Sequence, residues 1–278
     1  MTTTGRVRLA IVIASYNTRD ALCACLDSLY ETPPEHSYEI VVADNASTDG
    51  TVEMLRRDWP NVRLIEMGRN LGFASATNAA IRACDSELVL LLNSDTKIIP
   101  GSIDRLISVL ERDPVAAAAG PRLIDDSGRV ELSFGRMMSP WNEMHQKVLR
   151  LGIATNIPLL TRWLTHRTMS SHYPDWVSGA CLLVYRSCGT DVGWLDERFF
   201  LYCEDVDFCA ALRAEGHKIL FTPEAEVIHS RGKSGAVNPV NTRTLYRQSQ
   251  LTFYDKHYPQ WTGCLRFYLS MRRQLPPT

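Results

Sequence analysis

Leu88-Val89-Leu90-Leu91-Leu92-Asn93-Ser94-Asp95 is the stretch that decides the fold: five apolar residues in a row, then a polar tripeptide. A short unbroken apolar run suits a strand buried on both faces. The Asn-Ser-Asp end has two readings. It favours a turn by composition alone, and its carboxylate beside a small hydroxyl residue suits a hard cation held through oxygen.

The same arrangement recurs upstream. Val7–Ala14, Glu39–Ala43 and Val62–Met67 read as strands, and Glu87–Leu92 repeats them. Between them Arg19–Tyr30, Thr48–Asp58 and Ala74–Cys84 have helical periodicity, the second with Ser47 or Thr48 as its cap. Apolar strands alternating with helices predict a mostly parallel sheet covered on both faces. Ligands of such sheets bind outside the carboxyl ends of the strands. Four segments occupy those ends: Ser15–Asn17, Asp44–Ser47, Gly68–Gly72 and Asn93–Asp95. All four are rich in Asn, Asp, Ser and Gly, and that coincidence points to function.

Past Gly120 the pattern changes. Gly135–Tyr173 reads as an irregular, mobile or partner-facing connection. Val177–Tyr185 is a strong strand, Asp205–Glu215 a helix stopped by Gly216, and Ile219–Phe221 and Ala225–Ile228 are short strands. The remainder is helical, basic and aromatic. From Pro239 onward Arg243, Arg247, Lys256, Arg266, Arg272 and Arg273 face one acid, Asp255. Interleaved leucines and aromatics make this segment a candidate membrane-surface element, against the plainer reading of terminal helices packed on the domain.

Bulk properties narrow the classes. With 30 basic and 31 acidic residues the formal net charge is -1, which argues against a nucleic-acid binder. The eight cysteines form no C-x-x-C pair and no zinc-ribbon spacing, so buried free thiols are expected. Met1–Arg8 lacks the apolar core of a signal peptide, and the apolar runs are too short to span a bilayer. The expected location is cytoplasmic, with peripheral contact at the inner face of the cell membrane through the C-terminal segment. A homo-oligomer is left open.

Six segments together carry a resemblance. They are Ile13-Ala14-Ser15-Tyr16-Asn17, Val42–Gly50 around Asp44-Asn45, Asn70-Leu71-Gly72-Phe73, Leu91–Asp95, Trp176-Val177-Ser178-Gly179-Ala180, and Phe200–Asp207 with Glu204-Asp205-Val206-Asp207. In this order the chain resembles the family 2 glycosyltransferases of the GT-A fold, from about Arg8 to Ser234, and within them the rhamnosyltransferase-like subgroup. The resemblance implies a Rossmann-like α/β domain over residues 1–238, with a nucleotide-sugar half (1–120) and an acceptor half (121–238). Residues 239–278 would form a basic amphipathic extension.

It also implies roles. Ser15, Tyr16, Asn17, Asp44, Asn45, Asn70, Gly72, Asn93 and Ser94 would border the donor, Asp44 accepting from base or ribose. Gly72 would allow close approach near a helix N-terminus. Asp95 and His229 would hold Mg²⁺ or Mn²⁺; Asn93 stands where a strict D-x-D has an acid, so Asp95 is the carboxylate ligand. Asp205 would be the general base, with Glu204 or Asp207 orienting acceptor or base. Trp176, Gly179 and Ala180 would face the acceptor. Each has a plainer reading: Asp44 a helix cap, His229 a core histidine, the acids of 204–207 a favourable first helical turn. Arg231 and Lys233 would reach diphosphate oxygens, and the loop Gly232–Asn238 would close over the donor. The implied partners are a nucleotide-sugar donor and a glycan or lipid-linked acceptor. A nucleotidyltransferase would show a basic Gly-rich loop after its first strand, which Ile13–Asn17 lacks. A non-catalytic carbohydrate-binding protein would tolerate loss of Asp95 and Asp205, and both are present.

Overall fold

The computed structural model describes residues 7–155, 157–230 and 239–276. Its first half is the predicted alternation. Strands β1 (Val7–Ser15), β2 (Tyr38–Asp44), β3 (Arg63–Glu66) and β4 (Ser86–Asn93) alternate with helices α1 (Arg19–Glu31), α2 (Thr51–Asp58) and α3 (Phe73–Arg82). β3, β2, β1 and β4 pair in parallel in that spatial order. Leu9 to Ile13 and Leu88 to Leu92 are at most 1% exposed, so an apolar run with no polar alternation is what both covered faces require.

Beyond β4 come β5 (Thr96–Ile98), α4 (Ser102–Glu111), β6 (Ala116–Ile124), the short β7 (Phe134–Gly135), α5 (Pro140–Ala154), α6 (Pro158–Arg167), the short β8 (Trp176–Val177), β9 (Cys181–Tyr185) and α7 (Arg186–Asp191). Then follow α8 (Glu204–Ala214), β10 (Lys218–His229), α9 (Pro239–His257) and α10 (Pro259–Met271). The eight-stranded sheet runs β3-β2-β1-β4-β9-β6-β10-β5. β9 enters antiparallel between β4 and β6, β10 is parallel to β6, and β5 closes the edge antiparallel. This is a mixed, mostly parallel sheet flanked by helices.

Several expectations change in detail. Gly135–Tyr173 is not irregular: it holds α5 and α6. Ser139 caps α5 by accepting from the Asn142 N–H at 3.3 Å, and Pro occupies the first turn of both helices. The start signals are in the sequence; exposed apolar side chains on α5 obscured its periodicity. The cap of α2 is Gly50 in a left-handed conformation, not Ser47 or Thr48, and Asp49 accepts from the Thr51 N–H. Val177–Tyr185 breaks at Ser178–Ala180 into β8 and β9. Ile219–Phe221 and Ala225–Ile228 are one strand, β10, with a register shift between Thr222 and Glu226.

The C-terminal helices are part of the fold. α9 buries Leu251, Phe253 and Tyr254, while Leu269 of α10 is fully buried. Arg247, also buried, donates to Gln250 at 2.6 Å and Gln274 at 2.8 Å. These residues are part of the apolar and basic set of the expected membrane-facing segment and are spent on internal packing, while Phe267 and Tyr268 of the same segment stay exposed. No helix among the described residues is long and apolar enough to cross a membrane.

Candidate active site

The loops at the carboxyl ends of β1, β2 and β4 open into one cleft of about 1260 Å³. Ser15, Tyr16, Asn17, Asn45, Asn70, Gly72, Asn93, Ser94, Asp95, Trp176, Gly179, Ala180, Glu204, Asp205 and His229 all line it. Asp44 and Asp207 do not.

Side-chain bonds between loops fix the donor end. The Asn17 N–H donates to Ser47 Oγ at 2.8 Å, and Asn17 Oδ1 accepts from the Thr48 N–H at 2.7 Å. Asn45 Nδ2 donates to Asn70 Oδ1 at 2.8 Å and to the Gly72 carbonyl at 3.1 Å; its Oδ1 accepts from the Leu71 N–H. Asn45 and Asn70 therefore shape the 68–72 loop. Tyr16 is 41% exposed and free to stack. Asp44 is buried at the end of β2. Its Oδ2 accepts from the Ser47 N–H at 2.9 Å, whereas Oδ1 has no hydrogen-bond partner among the described residues.

Gly72 has a different reason from the expected one. At φ 89° and ψ 168° it occupies a region essentially reserved for glycine. A Cβ there would lie 2.5 Å from the Phe200 carbonyl oxygen, and the Phe73 N–H donates to that same oxygen at 2.7 Å. The close neighbour is the chain's own 200-loop, which this contact brings over the cleft. Gly72→Ala should destabilise the fold by on the order of 3 kcal/mol, combining backbone strain with overpacking. An unchanged denaturation midpoint would refute that account.

At the end of β4 the turn reading holds, and the turn faces the cleft. Asn93 to Thr96 is a tight turn, with Thr96 Oγ1 donating to the Asn93 carbonyl, and it presents Ser94 and Asp95 to the cleft. His229, last residue of β10, lies across from them. Its Nε2 is 3.3 Å from Asp95 Oδ1 and its Nδ1 is 3.1 Å from Glu131 Oε2. Burial disfavours the imidazolium, but the two carboxylates prevail and push its pKa up to about 9. Glu131 escaped the sequence reading. It follows the turn made by Asp125 and Gly128, a legible signal, but nothing local announces its pairing with His229.

The Asp95–His229 pair fits a divalent cation with two protein ligands, one hard oxygen and one imidazole nitrogen, the rest coming from diphosphate and water. Ligation through Nε2 requires its proton to leave. Among the described residues no group of three His, Cys, Asp or Glu side chains is arranged to hold a metal. Arg231, Lys233 and the loop 232–238 lie outside the described residues.

The second acidic centre opens α8. Tyr202 and Cys203, at φ 72° and 66°, are consecutive left-handed non-glycine residues. Such strain, roughly 1–2 kcal/mol per residue, persists where the surroundings dictate the geometry. It turns the chain so that Glu204 and Asp205 face the cleft. Asp205 Oδ2 accepts from the Gly179 N–H at 3.0 Å and Oδ1 from the Val206 N–H at 2.8 Å. Burial raises the pKa of both acids. That of Glu204 goes to about 8 through burial and then through Asp205; its Oε2 has no hydrogen-bond partner among the described residues. Donors that stabilise a carboxylate sit on Asp205, so of the two it ionises first.

Asp207 turns away from the cleft. Its carboxylate meets Lys256 Nζ at 2.8 Å and His257 Nε2 at 2.7 Å, tying α8 to α9. Trp176 donates from Nε1 to the Arg136 carbonyl at 2.9 Å, with one face on Gly135. Trp194 stacks on Phe208 and belongs to the core, while Trp261 is on the surface of α10. Asn78 bonds Leu195 and Glu197 and is a satisfied buried amide.

A nucleotide-type α/β sheet with an acidic turn after its fourth strand, facing a second acidic pair across one cleft, defines a GT-A glycosyltransferase. The glycosyl transferase family 2 model matches residues 10–166, and the chain belongs to that family. It is 35% identical over 274 residues to the N-acetylglucosaminyl-diphospho-decaprenol L-rhamnosyltransferase of Mycobacterium tuberculosis, covering 94% of this chain and 89% of the relative. Among solved structures, the mannosyltransferase PcManGT of Pyrobaculum calidifontis, in complex with GDP-Man and Mn²⁺, superposes with a TM-score of 0.61. Identity there is 19%, over 94% of this chain and 69% of that one. Residues 1–349 of S. aureus TarS, in complex with UDP, give 0.56 at 14% identity, over 95% and 72%. These structures share the fold.

Proposed function

We propose that the chain is an inverting glycosyltransferase that moves a sugar, rhamnose from dTDP-rhamnose by first choice, onto a hydroxyl of a lipid-linked glycan in cell-surface polysaccharide synthesis. The observation that carries the reading is the meeting of two acidic centres, Asp95 with His229 and Glu204 with Asp205, in one cleft. The rhamnosyltransferase relative supports the choice of sugar and of lipid-linked acceptor.

Asp205 takes the proton of the acceptor hydroxyl. The oxygen attacks the anomeric carbon as the bond to the nucleoside diphosphate breaks on the opposite side, so configuration inverts in one step. Tyr16, Asn17 and the loop held by Asn45 and Asn70 position the donor; Trp176, Gly179 and Ala180 border the acceptor. Asp95 and His229 would hold Mg²⁺ or Mn²⁺, which supplies charge neutralisation for the diphosphate. A screen of nucleotide sugars for turnover, with and without each cation, tests the reading. No turnover with any donor and a sugar-diphospho-lipid acceptor would refute it.

Asp44 does not line the cleft, but its buried Oδ1, without a hydrogen-bond partner among the described residues, supports the reading that it accepts from the base or ribose. Asp44→Ala should weaken nucleoside diphosphate binding by roughly 1.5–3 kcal/mol, the range for a hydrogen bond to a charged group. Calorimetry checks it: unchanged affinity in a folded variant would leave Asp44 as the residue that shapes the 45–48 loop through Ser47.

A further inference from the structure

α5 departs from the usual arrangement of a surface helix, which turns charge to solvent and apolar residues to the core: it buries Leu149 but leaves a second apolar stripe exposed. Its Lys147 and Arg150 line the cleft, joined by Arg136 just before the helix. Trp141, Met144, Val148 and Leu151, at helical spacing, are 73%, 55%, 59% and 67% exposed. α6 adds Leu159 and Trp163 to the exposed apolar surface.

Charge in this region is one-sided. Residues 136–169 contain Arg136, Lys147, Arg150, Arg162 and Arg167 but a single acid, Glu143. Glu143 is engaged by Gln250 and Tyr254 of α9. Arg136, Lys147 and Arg150 have no ion-pair partner among the described residues. Three cations gathered in one cleft suit a multivalent anion, and two of them are guanidinium forks matched to phosphate oxygens.

Electrostatic proximity says which end they occupy. The charge of Arg150 acts on Asp205, Cys203 and Tyr246, and that of Lys147 on Glu143 and Tyr268. His229, at the donor end, feels burial first and then the charges of Asp95 and Glu131, not those of Arg150 or Lys147. Arg150 and Lys147 therefore belong to the side of the base, and the Arg136 carbonyl accepts from Trp176 Nε1 at 2.9 Å on that same side, where the acceptor comes in. In a sugar-diphospho-lipid the diphosphate lies one sugar away from the hydroxyl that attacks.

We propose that Arg136, Lys147 and Arg150 bind the diphosphate of a lipid-linked acceptor, with the outward stripe of α5 resting on the bilayer that holds the lipid tail. Basic residues beside an exposed apolar stripe complement an anionic membrane surface. The proposal rests on the acceptor reading above and locates the part of the acceptor that the transfer chemistry does not touch.

Farnesyl diphosphate, titrated by calorimetry, is the probe. Lys147→Ala/Arg150→Ala should weaken its binding at least about tenfold, since two charge-assisted contacts are lost, while Asp95→Ala leaves it unchanged. Binding of dTDP with Mn²⁺ should show the reverse pattern. If Asp95→Ala abolishes farnesyl diphosphate binding, or dTDP displaces it competitively, the diphosphate sits in the donor site and the proposal fails. Vesicles of phosphatidylcholine and phosphatidylglycerol read the outer face. Trp141→Glu/Leu151→Glu should lose co-sedimentation yet bind farnesyl diphosphate as the wild type does. A wild-type protein that stays in the supernatant at low salt would remove the bilayer from the proposal. Transfer to an alkyl glycoside without diphosphate, as efficient as to a sugar-diphospho-lipid, would overturn the anion site and leave the glycosyltransferase reading intact.

Discussion

Asp205→Asn should abolish transfer while leaving nucleotide-sugar binding in place, with turnover falling on the order of a hundredfold or more. Asparagine keeps the size of the side chain, and its single carbonyl oxygen can still accept from one of the two N–H groups, Gly179 or Val206, that bond separate carboxylate oxygens of Asp205, so the variant should fold at a modest cost in stability. What disappears is basicity. Kinetics and calorimetry on the same preparation separate the two effects. Donor affinity lost together with turnover would assign Asp205 to the donor site.

The acid pair also fixes the sign of the pH dependence. A base must be deprotonated to act, and burial raises the pKa of both Glu204 and Asp205. Activity is therefore lost as pH falls through the raised pKa of the pair, and the acid limb of the rate profile should lie above the ordinary carboxylate range. Glu204 titrates after Asp205 and is neutral while Asp205 ionises, so Glu204→Gln should leave the acid limb in place. A limb that moves to lower pH in that variant would show that Glu204 carries its charge first.

The sequence made the donor half legible because its logic is local. A strand buried on both faces is an apolar run, and the polar residues that end each run are the ones the sheet delivers to a common edge. Asn93-Ser94-Asp95, Asn45 and Asn70 could be placed that way before any contact was known. The acceptor half depends on partners distant in the chain. Nothing near Asp207 signals Lys256 and His257, and nothing near Glu131 signals His229. α5 was hidden for a different reason. Trp141, Met144, Val148 and Leu151 face outward while Leu149 faces the core, so the periodicity that marks a core-facing helix is blurred. Gly72 was located correctly, but its neighbour is Phe200, a contact visible only once the 200-loop is seen folded over α3.

Asp95→Ala should lose cation-dependent donor binding, again on the order of a hundredfold or more, in a protein that remains folded. The loss is expected because a carboxylate ligand is the hard oxygen that such an ion needs, and His229 alone is a poor substitute. Stability should change much less. His229 keeps Glu131 at 3.1 Å when Asp95 is removed, so its buried imidazolium still has a carboxylate partner. The same geometry gives a control: Glu131→Gln weakens the hold on Nδ1 but leaves Asp95 and Nε2 facing the cleft, so it should cost donor binding far less than Asp95→Ala. Titration of the nucleotide sugar with Mn²⁺ and with excess chelator reads all three proteins. Full donor binding and turnover by the wild type in chelator would show that Asp95 and His229 are only an ion pair joining β4 to β10.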